Sequence, residues 1–202
     1  MIRRLILKYG ARLELCLLRS NEVARFEGII LADLHTPSTQ TQHFRDILLE
    51  ALRLLKATDP RRFERVRTHL AWIVHQTLER RGMAEYRHRN RSCAIDFLEP
   101  SPDYDREYFV GWYGCVLVHE ATHGQIRSRG ILYTPELRSR IERLCVQEEQ
   151  RFVTRLTFTH PDLAERLYHE FDASQWDRAW KDTPREIFVT RLKRIFRAGT
   201  ES

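Results

Sequence analysis

The chain lacks the cysteine spacing of a disulfide framework or a zinc ribbon. It has four cysteines, and no two of them form a CxxC pair. Three of the four lie in apolar periodic segments, where a free thiol behaves as a small hydrophobic side chain. This cysteine usage predicts a reducing, cytoplasmic setting.

Long apolar runs and targeting signals are also missing. No run approaches the length of a membrane span, so no transmembrane helix is expected. The N-terminus places basic residues before apolar ones, but Lys8, Arg12 and Glu14 interrupt the apolar stretch. Because no small-residue cleavage site follows, a secretory signal is not expected.

No repeat, low-complexity tract or change in composition divides the 202 residues. We therefore predict one domain, 1–202, with a mainly helical scaffold at 1–82. A metal-site core at 83–158 and C-terminal helices at 159–202 complete it. Within the scaffold, residues 1–34 are compatible with either strand or helix.

An excess of one charge is present but not concentrated. The net charge is +6 and the isoelectric point is about 9.4, yet 28 acidic residues accompany the 34 basic ones. Because the positive residues are spread through every segment, they indicate a solvated surface, and nucleic acid is an unlikely partner.

The sequence His119-Glu120-Ala121-Thr122-His123 has the pattern HExxH. On a helix, residues four apart share a face, so both imidazoles can reach one metal ion with Glu120 beside them. This pattern predicts a Zn²⁺ site in which His119 and His123 are ligands and Glu120 is the general base.

The residues before the motif support this interpretation. The apolar run 108–118 is long enough to continue as one helix through His123, with Trp112 and Val116 on the same face as the two histidines. Gly124 is compatible with a bend or a helix end directly behind the motif.

Other elements follow from apolar spacing and punctuation. Apolar residues at 44–55 predict a helix that ends near Thr58, and Asp59-Pro60 predicts a capped helix whose apolar face continues to Leu78. A short apolar segment, 93–98, predicts a strand. Further helices are expected around 163–171 and after Thr183-Pro184.

A helix that starts at Thr134-Pro135-Glu136 offers the candidates for a third ligand. Around the HExxH motif, residues 108–152 resemble the zincin metallopeptidases, specifically the gluzincins, in which a Glu from the next helix completes the site. Thermolysin-like members place that Glu about twenty residues after the second His. Glu142, nineteen residues after His123, matches best, while Glu149 and then Glu148 remain alternatives.

The resemblance implies an α+β, mostly helical, zincin-like domain with a small sheet packed on the HExxH helix. It further implies a peptide or protein substrate that pairs with an edge strand, for which 93–98 is the candidate. One position departs from the family: Val146 stands where thermolysin-like enzymes place an outer-shell Asp. If Glu142 is the ligand, Glu149 could take that role.

Two questions stay open at this level. A donor for the oxyanion could be Tyr133, Arg138, His160 or His169, and the sequence does not choose among them. In the alternative interpretation, the protein is non-catalytic, the motif is structural or vestigial, and the basic surface binds a protein or nucleic acid. Glu120 distinguishes the catalytic from the non-catalytic interpretation, because a purely structural metal site does not need a carboxylate at that position.

Overall fold

The computed structural model of the protein describes residues 13–35, 39–78, 83–98, 105–169 and 171. It has a mixed α+β architecture with helices around a five-stranded sheet, which confirms the predicted class at that level. None of the described helices is both long enough and apolar enough to cross a membrane.

The first described segment contains one helix and a hairpin. Residues 13–20 are helical (α1), and strands β1 (Glu22–Phe26) and β2 (Ile29–Asp33) then pair antiparallel. Glu27 and Gly28 between them have positive φ angles of 49° and 87°, which match the twist that a tight hairpin needs.

Two scaffold helices follow. Helix α2 (Thr39–Thr58) buries the predicted apolar face. Helix α3 (Pro60–His69) begins as predicted, because the Asp59 side chain accepts a hydrogen bond from the Arg62 N–H at 3.1 Å and Pro60 occupies the first turn.

The end of α3 differs from the prediction. The helix stops at His69 and strand β3 (Trp72–His75) follows, so the helix expected to reach Leu78 is wrong. All four residues of β3 are buried, because both faces of this central strand are covered. A short run in which every residue is buried has no polar–apolar alternation that would distinguish a strand from a helix.

The sheet has the order β1-β2-β3-β5-β4, where β4 is Ala84–Arg87 and β5 is Ser92–Ile95. The central strands β2, β3 and β5 are parallel, and the outer strands are antiparallel to their neighbours. A strand within 93–98 is thus confirmed, but its assignment as the edge strand is wrong. The edge beside the HExxH helix is β4.

Helix α4 (Arg106–Ser128) is the centre of the fold. Its N-terminus is capped by Asp105, whose carboxylate accepts a hydrogen bond from the Tyr108 N–H at 2.7 Å. It packs against four helices and two strands. The main core between this helix, α2 and one face of the sheet includes Phe44, Leu48, Leu52, Ile73, Ile95, Tyr113, Leu117 and Val118.

Gly124 does not bend or end α4, because the helix continues to Ser128. A Cβ at this position would lie 2.8 Å from Cβ of His69 and 3.1 Å from the ring of Tyr86. Glycine therefore lets α4 approach both α3 and β4 closely, directly behind the motif.

Two further helices complete the described chain. Helix α5 (Arg138–Leu156) lies along α4, with Phe152 against Gly114, where a Cβ would be 2.9 Å from the ring. Helix α6 (Pro161–Leu167) is shorter than the predicted 163–171 helix. The helix predicted after Thr183-Pro184 lies outside the described residues.

Candidate metal centre

Helix α4 presents the HExxH side chains to a cleft of about 810 Å³. His119 and Glu120 are buried, at 8% and 5% exposure, and His123 is half-buried. Trp112 and Val116 also line the cleft, so the helical face predicted from their spacing is a cleft wall. The two imidazole rings are neighbours, with centroids 4.9 Å apart.

Helix α5 brings Glu142 to both histidines. Its Oε2 lies 3.1 Å from Nε2 of His119 and 3.6 Å from Nε2 of His123. Ligands of a tetrahedral zinc ion, each about 2.1 Å from the metal, are separated by about 3.4 Å. The two distances from Glu142 are therefore close to the separation between ligands of one shared divalent ion.

Glu149 contacts the other nitrogen of His119. Its Oε1 lies 2.5 Å from Nδ1, so an Nδ1–H donates to this carboxylate while Nε2 faces Glu142. This is the outer-shell arrangement that orients a metal-binding histidine. Val146, four residues after Glu142, is buried.

The charges around His119 are consistent with a cation site. Burial by itself would lower the pKa of His119, but hydrogen bonds with Glu142 and Glu149 outweigh it and raise the pKa well above its usual value. Burial likewise opposes ionisation of Glu142, yet the two histidines hold its pKa below the ordinary range. The carboxylates thus favour positive charge between the rings.

Glu148 is directed away from this centre. Its carboxylate pairs with Arg62 at 3.0 Å and with Arg65 at 2.7 Å, on the side of α5 that faces α3. Arg65 also donates to Thr122 on α4 at 3.3 Å. This network joins α3, α4 and α5, and Glu148 is not close to the histidines.

Glu120 has a free buried oxygen. Among the described residues its Oε2 has no hydrogen-bond partner, although the side chain lines the cleft beside both histidines. Burial raises the pKa of this carboxyl group, and the neighbouring His123 and His119 oppose the shift. A buried carboxylate with an unused acceptor and a raised pKa is suited to take a proton from a bound water.

Of the four candidate donors for the oxyanion, two line the cleft and two do not. Tyr133 lines the cleft, and its hydroxyl donates to Oε1 of Glu142 at 2.5 Å. His169 also lines the cleft, with Nε2 3.6 Å from Oε2 of Glu149. Arg138 and His160 are not part of the cleft wall in the described chain; His160 instead precedes α6.

Cys145 is a residue whose role the sequence pattern did not indicate. Its sulfur and the ring nitrogens of His119 and His123 all lie within 4.8 Å of one another, so these three residues form a possible metal-binding group. Cys145 lies three positions after Glu142 and hence on the same face of α5, which is the signal that could have identified it. Burial raises the pKa of its thiol well above the usual value.

Strand β4 forms the opposite wall of the cleft. Ala84, Glu85 and Tyr86 line it, together with Met83 and His88 at the two ends of the strand. The strand is half-exposed and pairs only with β5 in the described sheet. Sequence reasoning missed β4 because alternating polar residues within a polar segment contain no apolar run.

No protein-family model, curated protein or solved structure matches this chain.

Proposed function

We propose that this protein is a zinc-dependent metallopeptidase, in which His119, His123 and Glu142 hold the metal. One observation carries the proposal: a single oxygen of Glu142 faces Nε2 of both histidines, beside a buried oxygen of Glu120 that has no hydrogen-bond partner among the described residues. The resemblance of residues 108–152 to the gluzincins supports the same assignment.

Each side chain has a separate task in this proposal. Glu149 keeps His119 in the tautomer that directs Nε2 at the metal, and the Tyr133 hydroxyl holds the second oxygen of Glu142. Glu120 accepts a proton from the attacking water and delivers it to the departing amine. Zinc in such a centre supplies Lewis acidity toward the scissile carbonyl and the water.

The peptide class of substrate is supported by β4. An edge strand can hold an extended peptide through main-chain hydrogen bonds, and this edge forms a wall of the cleft that contains Glu120. A peptide paired with β4 would therefore lie across the candidate metal centre. Strand β4, and not the segment 93–98, is therefore the edge strand proposed to pair with the peptide.

A structural metal site is the second candidate, and Cys145 is the observation that favours it. If Cys145 joined His119, His123 and Glu142, four protein ligands would close the coordination sphere, as in structural zinc sites. Such a protein would bind zinc without activating water. The non-catalytic alternative therefore corresponds to zinc held by these four protein ligands.

Metal analysis and two variants test the proposal. We expect about one zinc per chain, and Glu120→Gln should keep the zinc while hydrolysis of casein-derived peptides falls by at least about 100-fold. Cys145→Ser serves as the matched control and should retain both zinc and activity. Loss of zinc in Cys145→Ser, with no hydrolysis by the unmodified protein, would instead establish the structural site.

A further inference from the structure

One basic side chain stands out in the cleft. The chain has 34 lysines and arginines, yet Arg127 is the single one among the described residues that line the cleft wall. The other charged groups there include Glu85, Glu142 and Glu149. The guanidinium of Arg127 therefore belongs to the cleft and not to the general basic surface.

Arg127 continues the row of metal-site histidines. It lies on α4 four residues after His123 and eight after His119, so its Cα is about 6 Å further along the helix than that of His123. It is half-buried, and it forms no ion pair within the described chain. In contrast, Arg62 and Arg65 are paired with Glu148.

The surroundings of Arg127 strengthen an interaction with an anion. Ile126, which is half-buried, lines the same cleft together with Ile131 and Leu132, which are 44% and 53% exposed, so a carboxylate that reached Arg127 would be partly shielded from water. A charged hydrogen bond that is partly shielded in this way is stronger than one in open water. The planar guanidinium can bind both oxygens of a carboxylate, which adds geometric selectivity.

The direction of β4 tells which part of a peptide would meet Arg127. The start of β4 pairs with the end of β5, near which the Tyr113 hydroxyl of α4 contacts Leu98 at 2.9 Å. Further along β4, Tyr86 lies against Gly124. Strand β4 and helix α4 therefore run in the same direction, with Arg127 beyond the end of the strand.

Because antiparallel pairing is slightly more stable per residue than parallel pairing, we take the peptide to run antiparallel to β4, from the His88 end of the strand to the Met83 end. Its residues on the amino-terminal side of the scissile bond then lie toward Arg127. With the scissile bond taken level with His123, a position about 6 Å further along corresponds to roughly two residues before that bond, at about 3.3 Å per residue.

We propose that Arg127 binds a carboxylate of the substrate, namely an Asp or Glu side chain about two residues before the scissile bond. The inference rests on the proposed peptidase function and adds the class of peptide to it. The net charge of +6 is consistent, because a positive protein attracts acidic peptides by long-range electrostatics.

Peptides that differ in one charge test this inference with the zinc-loaded protein. Each peptide is acetylated and amidated, and a Glu is moved through successive positions, with a Gln peptide as the partner at every position. We expect a Glu-to-Gln ratio in kcat/KM of about 10 to 100 at one position before the scissile bond. Arg127→Gln should bring that ratio close to unity, and Arg127→Glu should favour a Lys peptide.

Arg129→Gln is the matched control, because this exposed arginine follows the end of α4 and is not part of the cleft wall. The Glu-to-Gln ratio in kcat/KM of this variant should equal that of the unmodified protein. A ratio near unity at every position in the unmodified protein would overturn the proposal. So would a preference for free over amidated C-termini that Arg127→Gln removes, since the bound carboxylate would then be terminal.

The failure of the peptidase proposal can be told apart from the failure of this one. If no peptide is hydrolysed, the fluorescence anisotropy of the same peptides, labelled and mixed with zinc-loaded protein, measures whether Arg127 still binds a carboxylate. Tighter binding of the Glu peptide, lost in Arg127→Gln, supports the carboxylate site without hydrolysis. Equal binding of the Glu and Gln peptides overturns it.

Discussion

Two buried histidines of this protein each lie against a carboxylate, yet their surroundings differ. Nδ1 of His119 lies 2.5 Å from Glu149, and its Nε2 lies 3.1 Å from Glu142 at the wall of the cleft. Nδ1 of His75, at the end of β3, lies 3.0 Å from Asp33 without the alignment of a good hydrogen bond.

The surroundings of the two rings distinguish the two sites. The ring of His75 is packed among aromatic rings, 5.1 Å from that of Phe44 and 5.7 Å from that of Phe97, and the histidine is 2% exposed. At His119 two carboxylates converge and outweigh burial, so its pKa is raised, whereas burial dominates at His75 and lowers its pKa. Burial of a histidine beside one acid therefore does not indicate a metal ligand.

The largest expected effect comes from making the same substitution at both histidines. His119→Asn should lower zinc affinity by more than about 100-fold, because it removes a proposed ligand and leaves Glu142 and Glu149 without their imidazole partner. His75→Asn should keep about one zinc per chain, because that ring does not line the cleft. Zinc titration against a chromophoric chelator measures both. Equal loss of zinc in the two variants would contradict the difference in role.

A smaller effect separates the adjacent carboxylates of α5. Glu149→Gln should weaken zinc binding by about 10- to 100-fold, because the amide supports the His119 tautomer less well than a carboxylate. Glu148→Gln should leave zinc affinity within about threefold. It should instead lower the free energy of unfolding by about 1–3 kcal/mol, because Arg65 loses its charged acceptor and Arg62 keeps only that of Asp59.

Chelator competition and urea unfolding of the metal-free proteins check the two halves of this prediction. If Glu148→Gln released zinc as readily as Glu149→Gln, α5 would act on the metal mainly through its overall position. The distinct contacts of the two side chains would then be irrelevant to metal binding.

The sequence predicted the local parts of the site because they depend on helical spacing. Two histidines four apart must share a face of α4, and Glu149, seven residues after Glu142, must lie near the same face of α5. The choice of Glu142 as the ligand came from the spacing that the resemblance to the gluzincins implies, with Glu149 as the alternative ligand or an outer-shell group. The identity of the metal and the reaction stay predictions.

Long-range pairing could not be predicted in the same way. The edge position of β4 depends on the insertion of β5 between β3 and β4, which no local pattern records. The approach of α4 to β4 depends on the missing side chain of Gly124, whose sequence context resembled a helix end. Ile73 and Val74 of β3 were predicted to lie on the apolar face of a helix, because a short buried run has no alternation of polar and apolar residues.

The smallest expected effect is the pH dependence that His75 adds to folding. Burial lowers its pKa, Asp33 opposes the shift, and the nearby His35 and Asp96 contribute smaller effects of opposite sign. Below about pH 6.5 the unfolded chain takes up a proton at position 75 before the folded chain does, so stability decreases as the pH falls.

His75→Asn removes this titration. The free energy of unfolding should therefore fall less steeply below about pH 6.5 in the variant, by at most about 1.4 kcal/mol per pH unit. Urea unfolding at pH 7.5 and 5.5 with a chelator present compares the slopes while the metal centre is the same in both proteins. A steeper fall in His75→Asn would mean that the folded protein binds a proton at His75 more tightly than the unfolded chain. The Asp33 carboxylate would then outweigh burial, and the two buried histidines would differ only in their access to the cleft.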